Sequence, residues 1–365
     1  MTTLASKPVA IPNFAGVDLK SAPPPLLGTQ GEVIVDEDGL AGGANPSLST
    51  STGNGDDVGG QNSTSEAVWN GTVAGLNWNG VVGTLTLSAD LTALAAIKNL
   101  AGQPVDAISG NGTGTLVLSA GGIDLVKIEI TNSSTGAYRV TLLAPVQHSD
   151  STSEDNVLGA VTITATNSNG SANATLPINI DDDRPVVTVS TASGPSLTVD
   201  ETAPMFGVAS TASVAGLFNS VTFGADGEKA GGGLAYSLTA SNGAAIANGT
   251  ASGLTSLNGT SINLYNEGGS IVGRVGAVNG AIAFTVTLTG GTVALTQYLA
   301  IKHPNTNDPD DVKSATANLI YVTLSATDGD GDVAKATSSN ALSLSFKDDG
   351  PSAGTIITVQ LDDDA

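Results

Sequence analysis

The sequence predicts an all-β chain built from tandem antiparallel β-sandwiches, and three observations predict it. Short β-branched runs recur along most of the chain. Gly, Asn, Ser and Asp punctuate those runs at short intervals, as turns between strands do. A set of landmarks then recurs in the same order at nearly one offset, which marks an internal repeat.

Residues 1–30 carry early prolines and then Pro23, Pro24 and Pro25, so they read as an extended, weakly ordered leader. Residues 41–66 are rich in Gly, Ser, Asn and Asp and read as a long loop. Strands are expected at 81–87, 115–119, 125–130, 138–143 and 161–166. The second half repeats the style at 221–223, 235–239, 283–288, 293–298, 320–326 and 342–346. The one helix-like stretch is 90–102 (DLTALAAIKNLAG), which predicts a turn or two of helix.

Four landmarks carry the repeat. Residues 34–38 (IVDED) match 197–202 (LTVDET), with Asp36 and Asp200 164 residues apart. Residues 138–148 match 295–303, with His148 and His303 155 apart. Residues 165–174 (ATNSNGSANA) match 326–336 (ATDGDGDVAKA) at an offset of 161. Residues 181–185 (DDDRP) match 347–351 (KDDGP) at 166. The chain therefore reads as a leader (1–30), a first sandwich (31–187) and a second (188–354). Residues 355–365, with VQLDDDA, read as the start of a third.

Composition narrows the function. Acidic residues outnumber basic ones 34 to 12, giving a net charge of −22. That charge repels nucleic acid and anionic lipid and favours divalent cations. No run of 18 apolar residues exists to span a membrane as a helix. Zero cysteines exclude disulfides, thiolate zinc sites and cysteine nucleophiles. Two histidines leave little for imidazole metal chemistry or a catalytic triad. No nucleophile elbow, P-loop, HExxH or dinucleotide fingerprint occurs, so no enzyme is expected.

The acidic residues cluster at unit boundaries. Asp36, Glu37 and Asp38 open the first unit, and Asp181, Asp182 and Asp183 close it. Asp200 and Glu201 open the second, and Asp348 and Asp349 close it. Like charges packed this closely are costly unless a cation neutralises them. Calcium suits such oxygen-rich sites, taking six to eight oxygens. The alternative is a solvated acidic turn. Residues 327–332 (TDGDGD) are the sharpest motif, because the intervening glycines place Asp328, Asp330 and Asp332 around one tight turn. No glutamate completes an EF-hand, and a β-turn calcium site or a plain Asp/Gly turn remains. The first unit has Asn167, Asn169 and Ser171 at the matching positions, so it should lack or greatly weaken this site. Asp226 lies in a second oxygen-rich turn, 223–227 (FGADG). His148 and His303 each precede an acidic pair, Glu154/Asp155 and Asp310/Asp311, and read as loop-capping histidines before metal ligands. Trp69 and Trp78 flank the turn 77–80 and read as core residues before a sugar-stacking platform.

These motifs resemble the repeats of large RTX-type, type I-secreted bacterial adhesins. In the second unit the resemblance rests on LTVDE (197–201), FGADG (223–227), SGL (252–254), LY (264–265), LTQYLAIKHP (295–304), TDGDGD (327–332) and DDGP (348–351). The first unit resembles the related type I secretion 143-residue repeat through VDEDGL (35–40), VTLLAPVQH (140–148) and DDDRP (181–185). The resemblance implies cadherin-like or immunoglobulin-like domains rigidified by calcium in a secreted, cell-surface protein. It also implies export without an N-terminal signal peptide and roles in cell adhesion and biofilm. Expected partners are calcium, neighbouring repeats of the same chain and a polysaccharide or a host or biofilm surface. A calcium-dependent carbohydrate-binding module is the alternative function.

Overall fold

Alternating burial builds the sheets. Along Thr115–Ala120 the side chains of Leu116, Leu118 and Ala120 are buried while their neighbours are not. Tyr138, Val140 and Leu142 do the same along Ala137–Leu142. Each fully buried Leu or Ile contributes about 1.5–3 kcal/mol. The computed structural model describes residues 22–41, 67–149, 156–202 and 206–349. Residues 1–21 of the expected leader, residues 42–66 of the polar loop, Glu154, Asp155 and the third acidic start lie outside them.

Two separate hydrophobic cores form. The first gathers residues from Val33 to Ile180 and the second from Leu197 to Phe346. Around the first core, a four-stranded sheet runs in the order Val33–Asp36, Gly170–Asp181, Asn156–Asn167, Thr84–Ser88. It faces a five-stranded sheet ordered Val68–Thr72, Ala137–Leu142, Ile123–Asn132, Thr115–Ala120, Ala107–Ser109. Around the second core, a six-stranded sheet runs from Ala209–Ser213 to Thr250–Thr255. Facing it, the counterpart of the four-stranded sheet is split in two, Ser196–Asp200 with Ser343–Lys347 and Val312–Ser314, and Leu234–Thr239 with Tyr321–Thr327 and Val333–Thr337. The long first-half hairpin, Asn156–Asn167 with Gly170–Asp181, is thus interrupted in the second half by residues 315–320 and 338–342. A cavity of about 280 Å³ lies at that interruption. Phe284 and Phe346 bridge the second core, ring centroids 5.2 Å apart.

The all-β expectation holds, with one addition: each half contains a parallel strand pair. Val33–Asp36 pairs parallel to Gly170–Asp181, placing Asp36 opposite Asp181. Ser196–Asp200 pairs parallel to Ser343–Lys347, placing Asp200 opposite Lys347. The opening and closing acidic motifs of one half therefore meet at the same end of it.

Other expectations shift. The helix-like stretch 90–102 forms only the 3₁₀ turn Leu91–Leu94, started by Asp90 accepting from Thr92 N at 2.6 Å. Beyond that turn Ile97 is fully buried, and a Cβ on Gly159 would stand 2.6 Å from its Cδ1. Residues 22–30 are not loose. Ala74 N donates to Gln30 Oε1 at 2.8 Å, Gln30 Nε2 returns to Ala74 O at 3.2 Å, and Asn79 Nδ2 holds Pro24 O at 2.6 Å. Trp78 is buried, its Nε1 donating to Ser134 O at 3.2 Å, and Trp69 packs against the same core. Neither indole forms an exposed sugar platform.

Candidate metal centre

The centre starts from a short turn. Asp36 leaves its strand extended (φ −135, ψ 137), and its Oδ1 accepts from Asp38 N at 2.8 Å. This starts the 3₁₀ turn Glu37–Gly39, whose Glu37 and Asp38 are buried. Glu37 Oε1 accepts from Val146 N at 2.6 Å, which fixes the carboxylate 109 residues from its donor. Two residues on, His148 Nδ1 lies 3.0 Å from Asp182 Oδ1 and 4.0 Å from Glu37 Oε1. Its Nε2 lies 3.3 Å from Ile180 O. One end of the first half thus gathers Glu37, His148 and Asp182.

The second half supplies the rest. Asp328 Oδ1 accepts from Gly331 N at 3.0 Å and from Asp332 N at 2.7 Å, curling the 327–332 turn on itself. Gly331 takes φ +121, and a Cβ on Gly329 would lie 2.5 Å from Asp226 O, so the two oxygen-rich turns press together. Asp330 Oδ2 accepts from His148 N at 2.9 Å across the boundary. Asp183 Oδ2 accepts from Ala225 N at 2.5 Å, and a Cβ on Gly224 (φ +68) would stand 2.6 Å from that carboxylate. Arg184 Nε lies 3.3 Å from Asp332 Oδ2.

Three donor groups result: Glu37/His148/Asp182, Asp182/Asp330/Asp332 and Asp226/Asp328/Asp330, each with ligand atoms within 4.8 Å. They share Asp182 and Asp330, so they form one centre of six carboxylates and one imidazole drawn from both halves. Glu37 Oε2, Asp182 Oδ2, Asp328 Oδ2 and both oxygens of Asp226 are buried without a hydrogen-bond partner. Burial raises the proton affinity of these acids, and facing carboxylates raise it further. Asp226 is pushed up to about 9 by burial and then by Asp330. Asp332 is pushed to about 8 by burial and then by Asp182 and Asp330. Asp328 is pushed to about 7 by burial and Asp330. Glu37 is raised well above the carboxylate range by burial and then by Asp226. Asp182 is raised by burial, which His148 partly offsets.

Of the residues read from sequence, Glu37, Asp182, Asp328, Asp330 and Asp332 come together here. Asp36, Asp38, Asp181 and Asp183 are buried close by but outside the three donor groups. Burial pushes Asp181 up to about 7. Glu201 and Asp348 join His303 in a separate group at the matching end of the second half. Asp200 and Asp349 join no donor group among the described residues. Asp200 Oδ1 accepts from Thr202 N at 2.8 Å and its Oδ2 lies 3.6 Å from Lys347 Nζ, which together hold it below the usual carboxylate range. Asp349 is exposed. Sequence reasoning left two members out of the metal set. Asp226 had a signal in the FGADG turn. His148 had only its recurrence at His303 and a following acidic pair, which favoured a loop cap, since its role depends on Asp182 reaching it through the strand pairing.

Residues 196–339 match the model of DUF5801, a domain of unknown function. No curated protein matches the chain. Among solved structures, the titin domains Z1Z2 in complex with telethonin are similar at a TM-score of 0.30 and 14% identity, covering 91% of this chain and 100% of that one. A mouse clustered protocadherin fragment, PcdhgC3 EC1–3, is similar at 0.22 and 13%, covering 88% and 67%. CfaE, the adhesive subunit of CFA/I fimbria of enterotoxigenic Escherichia coli, is similar at 0.26 and 9%, covering 89% and 100%. At such scores the architecture rests on the chain's own sheets.

Proposed function

We propose that this chain is a calcium-stiffened extender of a large secreted bacterial surface adhesin. Two tandem sandwiches, residues 31–187 and 188–354, would be locked end to end by calcium and serve adhesion and biofilm. The observation that carries this is the centre shared between the halves. Its buried carboxylate oxygens face one another without donors. Such a set is costly as bare anions and well matched to a hard, oxygen-seeking cation. Glu37, Asp182, Asp226, Asp328, Asp330 and Asp332 would hold the ion, which supplies the missing positive charge. His148 N and Arg184 orient Asp330 and Asp332 from the first half. Folding and interdomain order are then coupled to calcium, loose where calcium is scarce and rigid at extracellular levels. Export by type I secretion follows from the repeat resemblance. No catalytic role is proposed, and the burial of Trp78 removes the main sequence support for sugar binding.

Small-angle scattering tests the lock. Calcium should narrow the distribution of distances between the halves relative to chelator, and Asp182→Asn with Asp330→Asn should abolish the narrowing. Identical profiles with calcium and with chelator would contradict the proposal.

A further inference from the structure

The second half carries the same triad as the first, with its histidine held differently. Glu201, His303 and Asp348 bring ligand atoms within 4.8 Å of one another. They match Glu37, His148 and Asp182 of the first half in order and setting. Glu201 Oε1 accepts from Ile301 N at 3.0 Å, as Glu37 Oε1 accepts from Val146 N. The histidines differ. His148 sits at hydrogen-bond distance from Asp182 Oδ1 and Ile180 O. His303 is 8% exposed, and neither of its ring nitrogens has a hydrogen-bond partner. Its Nε2 stands 3.5 Å from Glu201 Oε1, and its Nδ1 stands 3.9 Å from Asp311 Oδ2.

The Glu201 spacing fits no hydrogen bond in the structure and is right for two donors around an ion. Two donors about 2.1 Å from a tetrahedral zinc ion stand roughly 3.4 Å apart. The surroundings are arranged to hold the donors. Gln297 Nε2 donates to Glu201 Oε1 at 2.6 Å and to Leu299 O at 3.0 Å, which fixes the glutamate. Asp311 Oδ2 accepts from Asn305 N at 3.1 Å and faces the far side of the ring, as the outer carboxylate of a metal-bound histidine does. Asp348 N donates to Asp311 O at 2.8 Å, which anchors the third donor. The nearby cation, Lys347, is engaged elsewhere, 2.9 Å from Asp310 and 3.6 Å from Asp200.

We propose that Glu201, His303 and Asp348 form a second metal site, selective for an imidazole-accepting divalent transition ion such as zinc over calcium. Calcium takes oxygen donors, whereas zinc takes histidine nitrogen with carboxylate oxygen and keeps a fourth position open when the protein supplies three ligands. The open position would accept water or a group from an adjoining molecule. The site stands apart from the shared centre and does not depend on the calcium reading.

The test uses the full chain, stripped with chelator and then saturated with calcium. Zinc chloride is titrated by calorimetry while long-range ¹H–¹⁵N spectra follow the imidazole rings. The chain has two histidines, so His303→Gln assigns the spectrum. Zinc should bind in the presence of calcium, shift the His303 ring signals, and lose that equivalent in His303→Gln. Asp348→Asn keeps the buried ring in place, removes a direct ligand and should weaken zinc by more than the roughly 10–100-fold typical of outer-shell losses. Unmoved His303 ring signals at zinc saturation, or a zinc titration unchanged in Asp348→Asn, would overturn the proposal. Calcium-dependent stability would survive that outcome, so the two readings fail separately.

Discussion

At residue 167 the turn of the first half carries an amide, and at the matching residue 328 the turn of the second half carries a carboxylate. Asn167 Nδ2 donates to Trp78 O at 3.2 Å and to Val81 O at 3.0 Å, while its Oδ1 accepts from Asn169 N at 2.9 Å. That side chain closes its turn with groups of its own half. Asp328 also accepts from its own turn, at Gly331 N and Asp332 N, but it has nothing to donate. Its second oxygen is buried without a partner beside Asp330 and Asp226. The Asn167 side chain is satisfied within its own half because an amide both donates and accepts. The carboxylate turn needs positive charge from outside. One backbone turn thus serves as a structural closure in the first half and as a ligand-demanding junction in the second.

Making the second turn resemble the first should have the largest effect. Asp328→Asn with Asp330→Asn removes two ligands of the centre and should abolish most of the stabilisation by calcium. That is a loss of about 2.7 kcal/mol per site at a hundredfold excess over Kd. Calcium titrations followed by differential scanning calorimetry check it. A full calcium response in the double variant would break the comparison.

The pH profile sharpens it. Without metal, the folded chain keeps protons on acids pushed up to about 7 for Asp181 and Asp328, about 8 for Asp332 and about 9 for Asp226. The folded state therefore binds more protons than the unfolded state, and that stability is full near pH 4 and lost as pH rises toward 9. The metal-free melting midpoint should fall by at least several degrees over that range. Calcium, which binds the ionised forms, should flatten or reverse the slope. Thermal melts in chelator and in calcium across pH check both.

The converse exchange is smaller. Asn167→Asp strips the donors from Trp78 O and Val81 O and should cost about 1–3 kcal/mol, with no gain in calcium response. Urea unfolding with and without calcium measures it. Asp200→Asn should be smallest, about 0.5 kcal/mol, because Asp200 serves a surface turn and an exposed ion pair. A large calcium defect in that variant would mean that the opening aspartates are ligands after all.

The fold was mostly legible because period-two burial is written into strands such as Thr115–Ala120 and Ala137–Leu142. The strand Gly170–Asp181 was hidden, since it opens on small polar residues and carries Pro177. Small polar residues there mimic turn composition, and only its pairing with Asn156–Asn167 makes it a strand. The site was half legible. Asp328, Asp330 and Asp332 announce themselves by spacing within one turn. Glu37 and Asp182 stand out as members of acidic clusters, but their meeting with His148 does not, because a parallel strand pair joins segments more than a hundred residues apart. Asp36 and Asp200 look alike in sequence and part company in space. Asp36 is fully buried at the centre's edge, and Asp200 faces Lys347 at the surface.

Thermal unfolding of the full chain in chelator and then in about 10 mM calcium tests the central claim most directly. With extracellular-type affinity near 10⁻⁴ M, the midpoint should rise by roughly 5–10 °C for each ion bound. The same midpoint in both conditions would show that the buried carboxylates hold no structural calcium and would contradict the account.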